Sequence, residues 1–358
     1  MVNNCTVRAT TQLEETIKSA ARAAGFDLCG IAPVSHNREL EYFPEWLAAG
    51  HGGEMKYLES RNDSGALKRS SLENAAPWAR SVVVCAINYN SDGPYSTKCK
   101  DKSRGWISRY AWSQQDYHEI VLGRLRALET QLKELSGGED LQSWSYVDTG
   151  PIVERVLAKY SGIGWQGKNT CVINQEIGSW IFLGVILTSL ELTPDMPAPD
   201  RCGSCTRCLD ACPTNAFIGP YKLDATRCIS YLTIEKRGEI PEEFRAGMAN
   251  HLFGCDICQD VCPWNREAPV SHSAEFQPRN ELVNPALEWL AEMSQEEFRT
   301  TFKGSPIKRA KYSGLRRNAA VAMGNSANRK FIPQLKKMSQ DEDAVVAEHA
   351  RWSLEQLK

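Results

Sequence analysis

Cys202-Gly-Ser-Cys205-Thr-Arg-Cys208-Leu-Asp-Ala-Cys212-Pro213 decides how this chain of 358 residues is read. Its C-x2-C-x2-C-x3-C-P spacing is an iron–sulfur pattern, in which three thiolates hold one cluster and the fourth reaches across to a second. Cys255-Asp-Ile-Cys258-Gln-Asp-Val-Cys262-Pro263 repeats the C-x2-C-x3-C-P ending, and Cys228 stands alone between the two runs. Together these cysteines supply the ligands of two [4Fe–4S] clusters. A pair of zinc sites is the competing chemistry, because short C-x2-C pairs also suit zinc. The run of four cysteines closed by proline favours the clusters.

By the crossed logic of two-cluster ferredoxins, Cys202, Cys205, Cys208 and Cys262 hold one cluster, and Cys212, Cys228, Cys255 and Cys258 hold the other. Two clusters in one small fold pass single electrons, so this segment is expected to act as a wire. The other cysteines, Cys5, Cys29, Cys85, Cys99 and Cys171, show no ligand spacing and read as buried small hydrophobes or surface thiols. Thirteen cysteines without a disulfide framework fit a reducing compartment.

Upstream of the wire, Leu13 to Ala24 has helical spacing closed by Gly25, and Ser81-Val-Val-Val-Cys-Ala-Ile87 reads as a buried strand. Asp116 with Glu119 resembles a capping box, followed by Val121, Leu125, Leu128, Leu132 and Leu135 on one face as far as Gly137-Gly138. Ser145-Tyr-Val147 reads as a strand, Ile152 to Tyr160 as a helix, and Trp180 to Leu187 as a central strand. The proline-rich Thr193–Asp200 stretch marks a domain boundary. Downstream, Ser313 to Met323, Phe331 to Met338 and Val345 to Leu357 read as short amphipathic helices of a helical-repeat unit.

The hydrophobic fraction of 42% and charged fraction of 24% describe a folded, soluble chain. No apolar run approaches the roughly 20 residues that span a bilayer, and Met1 to Thr11 lacks an export signal, so a cytoplasmic protein with no membrane contact is expected. The net charge of −2 predicts no global attraction to nucleic acid, so any such binding needs a local patch. Lys303, Lys308, Arg309, Lys311, Arg316, Arg317, Arg329 and Lys330 form the best available one, although a solvated helix face would look the same. Neither a Rossmann fingerprint nor a P-loop is present. Instead, Tyr146 to Arg155 and Ser161 to Asn169 place glycines beside polar groups directly before the wire, as close backbone approach to a ligand would need.

These stretches carry a resemblance. Ile107-Ser-Arg-Tyr-Ala-Trp112 leading to Asp116-Tyr-His118, Val147-Asp-Thr-Gly150, Arg155, Ser161-Gly-Ile-Gly164, Lys168-Asn169 and both cysteine motifs resemble the epoxyqueuosine reductases over most of the chain. Ser113 departs from the family's usual glycine and Val153 from a more polar loop. The resemblance implies an α+β multidomain chain: an N-terminal α/β cobalamin-binding domain over 1–194, a ferredoxin-like double-cluster domain over 195–270, and a C-terminal α-helical HEAT-like repeat over 271–358 that contacts tRNA. It implies cobalamin reduced to Co(I) by a cluster, with an external low-potential donor of flavodoxin or ferredoxin type, and a monomer is expected. The substrate would be tRNA carrying epoxyqueuosine, whose wobble base is flipped into the cobalamin pocket.

Opening an epoxide leaves an alkoxide, which needs a proton as the C–O bond breaks. Asp148 stands at the family's proton-donor position, where a closed, weakly polar pocket would keep it protonated. As a plain turn residue it would cap the helix after Gly150. Arg69, Ser108, Arg109, Asp148, Arg155, Lys168 and Asn169 are the cofactor-binding candidates by the same resemblance, and Lys308, Arg309, Lys311, Arg316 and Arg317 the nucleic-acid-binding ones. His118 reads as a capping or packing residue. Two other functions fit part of the pattern: a corrinoid reductase of small molecules, such as a reductive dehalogenase, and a non-catalytic iron–sulfur electron carrier.

Overall fold

The computed structural model describes residues 3–137 and 140–358, with side chains from Gln12 onward; the Cys5 side chain and Gly138 lie outside what is described. Its centre is a four-stranded sheet of β1 (Leu28–Pro33), β2 (Ser81–Asn88), β4 (Ser143–Tyr146) and β5 (Ile181–Thr188), in the order β1-β2-β5-β4. Every pairing is antiparallel, so the N-terminal unit has an antiparallel sheet rather than the parallel one an α/β label suggests. β2 is buried along its whole length. Its alternate residues serve two cores. Val83, Cys85 and Ile87 face a layer containing Ile17, Val121, Leu125 and Leu128, while Val82, Val84 and Ala86 face Ile152, Leu157, Ala158 and Ile163. Covering both faces removes the polar alternation that would otherwise betray an antiparallel strand.

Helix α1 (Asn3–Ala23) begins well before the expected Leu13. It ends where Gly25 takes φ +88°, so that Phe26 N–H can reach Ala21 O at 3.1 Å. Helix α2 (Tyr117–Leu135) is capped by Asp116, which accepts from His118 N–H at 3.1 Å and meets His118 Nδ1 at 2.7 Å. The capping partner is therefore His118 rather than the expected Glu119. The apolar face of α2 ends at Leu132, because Leu135 is 42% exposed. Helix α3 (Glu154–Tyr160) lies on the opposite face of the sheet.

The expected cuts at 194 and 270 do not separate the cores. Strand β3 (Trp106–Ile107), from within the first segment, pairs in parallel with β6 (His251–Phe253). Trp106, Ile107 and Trp112 pack in one cluster with Leu252, Phe253, Leu287, Phe302, Leu315 and Ala319. In return Phe276 packs against Phe182 of the N-terminal sheet, at 5.2 Å between rings.

The tail is helical, with α4 (Lys311–Asn325), α5 (Ile332–Met338) and α6 (Ala344–Gln356). α4 is buried nearly all round rather than amphipathic. Its small residues allow this: a Cβ on Gly324 would lie 2.7 Å from Ser353 Cβ on α6. Among the described residues no helix is long and apolar enough to cross a membrane.

Candidate functional site

Each cysteine run forms a tight loop followed by one helical turn, Arg207–Asp210 in the first and Ile257–Asp260 in the second. This fold gathers the thiols into two neighbourhoods. Cys202 and Cys262 pack together around Trp165, Ile173 and Trp264. Cys208 lies within the electrostatic reach of Cys202 and Cys205, and Cys262 within that of Cys208 and Cys202. In the other group, Cys228 and Cys255 pack with Ala225, Ile229 and Met248, Cys255 lies near Cys228 and Cys212, and Cys258 near Cys255 and Cys228. Burial pushes Cys262 up to about 11 and Cys255 well above the usual thiol range. Without metal Cys255 and Cys262 therefore hold their protons, and loading a cluster onto them must expel those protons. Among the described residues, no three Cys, His, Asp or Glu side chains converge closely enough to share a single metal ion.

Lys168 and Asn169 lead from the N-terminal unit into both loops. Lys168 Nζ donates to Gly203 O at 2.6 Å and Cys205 O at 3.0 Å, while Asn169 Nδ2 donates to Cys258 O at 3.3 Å. The nearby glycines serve internal packing. A Cβ on Gly164 would meet the backbone oxygen of Ile173 at 2.4 Å, and one on Gly30 the Ser161 oxygen at 2.0 Å.

Asp148 follows β4 with φ +57°, a left-handed conformation that turns its carboxylate back over the start of α2. There the Tyr117 hydroxyl donates to Asp148 Oδ2. The Tyr117 ring is fixed by stacking on Phe182 at 4.2 Å and on His118 at 4.0 Å, with Tyr110 edge-on at 5.9 Å. Burial first, then the Asp148 charge, raises Tyr117, which keeps its proton and acts as the donor. Asp148 therefore does not cap α3, whose N-cap is Val153 without a side-chain bond. The closed pocket expected around Asp148 is not formed by the chain alone, since the residue is exposed.

Two residues that the sequence reading passed over belong here. Tyr117 sits inside the quoted Asp116-Tyr-His118 stretch, where an aromatic at a helix start carries no signal of its own. Glu154 lies beside Arg155, half-buried, with Oε1 shut off from solvent and lacking a hydrogen-bond partner. Burial, and secondarily the Asp148 charge, raise it to about 7.

The cofactor-binding candidates divide by exposure. Arg155 is exposed, with one bond to Thr170 O at 3.1 Å. Arg69 is buried and supports the Asp148 loop, donating to Gly150 O at 2.8 Å and Tyr57 O at 2.7 Å. Ser108 and Arg109 are corrected from contacts to scaffold. Buried Ser108 donates to Asp256 Oδ1. Arg109 spends its guanidinium on Ser91 O, Gly93 O and Pro94 O, beneath the rings of Trp112 and Trp180.

The basic tail residues also separate. Lys308 and Lys311 are exposed. Arg309 is exposed too, pairs with Glu235 at 2.5 Å and lies over the Tyr57 ring. The Arg309 and Asp148 charges both act on Tyr110, and the Lys308 charge on Asp116, so these two cations lie on the Asp148 side of the molecule. Arg316 pairs with Asp341 at 2.5 Å and is partly buried. Arg317 contradicts the expectation. It is 0% exposed and donates only to protein acceptors, among them Leu232 O at 2.7 Å. A fully buried guanidinium cannot reach a phosphate.

Comparison with known proteins matches this geometry. The family described as 4Fe-4S double cluster binding domain covers residues 201–265, and that described as Epoxyqueuosine reductase QueG covers 69–149. An epoxyqueuosine reductase of Xanthomonas campestris is 38% identical over 97% of this chain and 96% of its own. The crystal structure of an epoxyqueuosine reductase with an epoxyqueuosine-modified tRNA-Tyr stem loop superposes with a TM-score of 0.85, at 32% identity, over 97% of this chain and 91% of that one. A Bacillus subtilis epoxyqueuosine reductase with its catalytic aspartate loop swung out of the active site matches equally well, with a TM-score of 0.85, 32% identity and the same coverage of 97% and 91%. With relatives this similar along nearly its whole length, and a family model matching 69–149, the chain belongs to the epoxyqueuosine reductase family.

Proposed function

We propose that this chain reduces epoxyqueuosine to queuosine in tRNA, with Asp148 as proton donor and two [4Fe–4S] clusters as the electron supply. The observation that carries the reading is the Asp148 carboxyl, exposed for a substrate and held from behind by Tyr117. Converting the epoxide of epoxyqueuosine into the C=C bond of queuosine breaks both C–O bonds and releases the oxygen as water, which consumes two electrons and two protons. The first proton goes to the ring oxygen as its C–O bond breaks. With Oδ2 accepting from Tyr117, Oδ1 is the atom left to carry that proton. General acid catalysis of this kind contributes about 10²–10⁴ in rate.

The thiol neighbourhoods support the crossed allocation: Cys202, Cys205, Cys208 and Cys262 for one cluster, Cys212, Cys228, Cys255 and Cys258 for the other. Cobalamin fits the residues present. Its rim of amides needs both donors and acceptors, and exposed Arg155, exposed Asp148 and the unpartnered Glu154 Oε1 offer both in one neighbourhood. When bound there it would supply a low-potential reductant for the epoxide. Arg155, Asp148 and Glu154 would hold it, while Arg69 fixes the loop between them.

For the RNA, Lys308, Arg309 and Lys311 present their charge to solvent, with Arg316 behind them. We read the segments 1–194, 195–270 and 271–358 as a division of roles, the last as the helical-repeat, tRNA-contacting part. Anaerobic incubation with epoxyqueuosine-bearing tRNA, followed by mass spectrometry of the nucleosides, tests the function. The expected result is conversion by the wild type and a loss of about 10²–10⁴ in Asp148→Ala, with iron content kept. Wild-type turnover by that variant refutes the acid role.

A further inference from the structure

We propose that Lys168 sets the reduction potential of the cluster held by Cys202, Cys205, Cys208 and Cys262, raising it relative to its neighbour. The inference rests on the cluster reading of those cysteines and goes beyond it to a residue that ligates nothing. The turn from Gly167 to Cys171 grips both ligand loops at once. Its own shape is set by Gly167 N–H to Cys171 O at 2.8 Å and by Asn169 Oδ1, which accepts from Cys171 N–H at 3.2 Å. From that turn, Lys168 Nζ bonds two carbonyls inside the first ligand loop, Gly203 O at 2.6 Å and Cys205 O at 3.0 Å. Asn169 Nδ2 bonds one carbonyl of the second loop, Cys258 O at 3.3 Å. The backbone of Lys168 is pinned as well, its oxygen accepting from Tyr221 N–H at 3.0 Å.

Adjacent residues thus present a full positive charge to one cluster loop and a neutral amide to the other. A cluster gains a negative charge when it is reduced, so a fixed cation beside it favours the reduced form and raises its potential. An amide dipole does the same far more weakly. The ammonium is half-buried and tied by two short bonds, so it neither moves away nor loses its effect entirely to water. Asp200 acts in the opposite sense, its carboxylate accepting from Cys202 N–H at 2.7 Å. It is unchanged by substitution at 168, so a single variant isolates the lysine.

The test is a potentiometric titration of the anaerobically reconstituted protein followed by EPR, alongside iron determination. Lys168→Met should keep both clusters and shift one of the two couples to more negative potential by about tenfold in the reduced-to-oxidised ratio, about 59 mV for one electron. Lys168→Arg, which keeps the charge, should stay near the wild-type value. If Lys168→Met loses iron, Lys168→Gln, which keeps an N–H donor without the charge, is titrated instead. Unchanged couples in an iron-replete, charge-free variant overturn the inference. A wild-type protein that takes up no [4Fe–4S] clusters would overturn the cluster reading itself, a separate result.

Discussion

Replacing Arg317 by methionine separates a charge that builds the fold from charges free to meet RNA. The guanidinium donates to Leu232 O at 2.7 Å, Gly238 O at 2.8 Å and Lys236 O at 2.9 Å, and Nη2 also reaches Asn318 Oδ1 at 2.9 Å. Asn318 in turn donates to Thr233 O at 2.9 Å and Leu252 O at 2.8 Å, so the pair ties α4 to the 232–238 segment and to β6. Methionine fills much of the space but leaves three backbone acceptors without their donor. A buried acceptor stripped of its partner costs about 1–3 kcal/mol, and relief from burying the charge offsets part of the sum. A net loss of about 3–5 kcal/mol remains, a large share of the roughly 5–15 kcal/mol that holds a domain together. Because the chain has several interleaved cores, the assay is local hydrogen exchange rather than one unfolding midpoint. Amides of α4 and of 251–253 should exchange about 10²–10⁴ times faster than in the wild type. A variant with unaltered exchange and weakened RNA binding would refute the scaffold role.

Charge reversal of exposed Lys308 and Arg309 should leave hydrogen exchange in α4 intact and weaken binding of an anticodon stem loop. Loss of two phosphate contacts should flatten the slope of log K against log salt by about 1.5, and an unchanged slope would remove them from the interface. Tyr117→Phe should keep the clusters and lower turnover by roughly tenfold, the worth of one hydrogen bond to a charged group; full activity would show that Asp148 needs no support. His349 accepts from Ile240 N–H at Nε2 and meets Val345 O at Nδ1, and burial holds it down at about 4, as it does His251. A depressed histidine lets the unfolded chain take up protons first. Stability should therefore be level above pH 7, fall between about pH 6.5 and 4 by about 3 kcal/mol for each residue, and gain no further loss from them below that. Hydrogen-exchange protection of α6, corrected for the intrinsic pH dependence of exchange, checks this, and a flat profile across that window in the wild type would contradict the assignment.

Ligand spacing is a local property: the cysteines of each run lie within one short loop and one helical turn, so their order along the chain already states their geometry. The same holds for the glycine stop at Gly25 and for Asp116 as the cap of α2, whereas the box partner of that cap and the burial of α4 all round were not local properties. The proposed crossing of Cys262 to the first set and Cys212 to the second rests on the repeated proline-closed motif, and the two thiol neighbourhoods are consistent with it.

What the local pattern could not state was the fate of single charges and the seams between units. Arg316 and Arg317 are neighbours in a basic stretch, yet one pairs with Asp341 while the other is buried on carbonyls 79 to 85 residues away. Lys168 turned from the cofactor pocket to a cluster loop because its acceptors are 35 and 37 residues further on. Tyr117 became the partner of Asp148 only when β4 was laid beside α2. Spacing and periodicity settled which chemistry this chain carries and where its helices stop. Burial and hydrogen-bond partners come from segments remote along the chain, so tertiary packing decided which side chains stay exposed and which hold the molecule together.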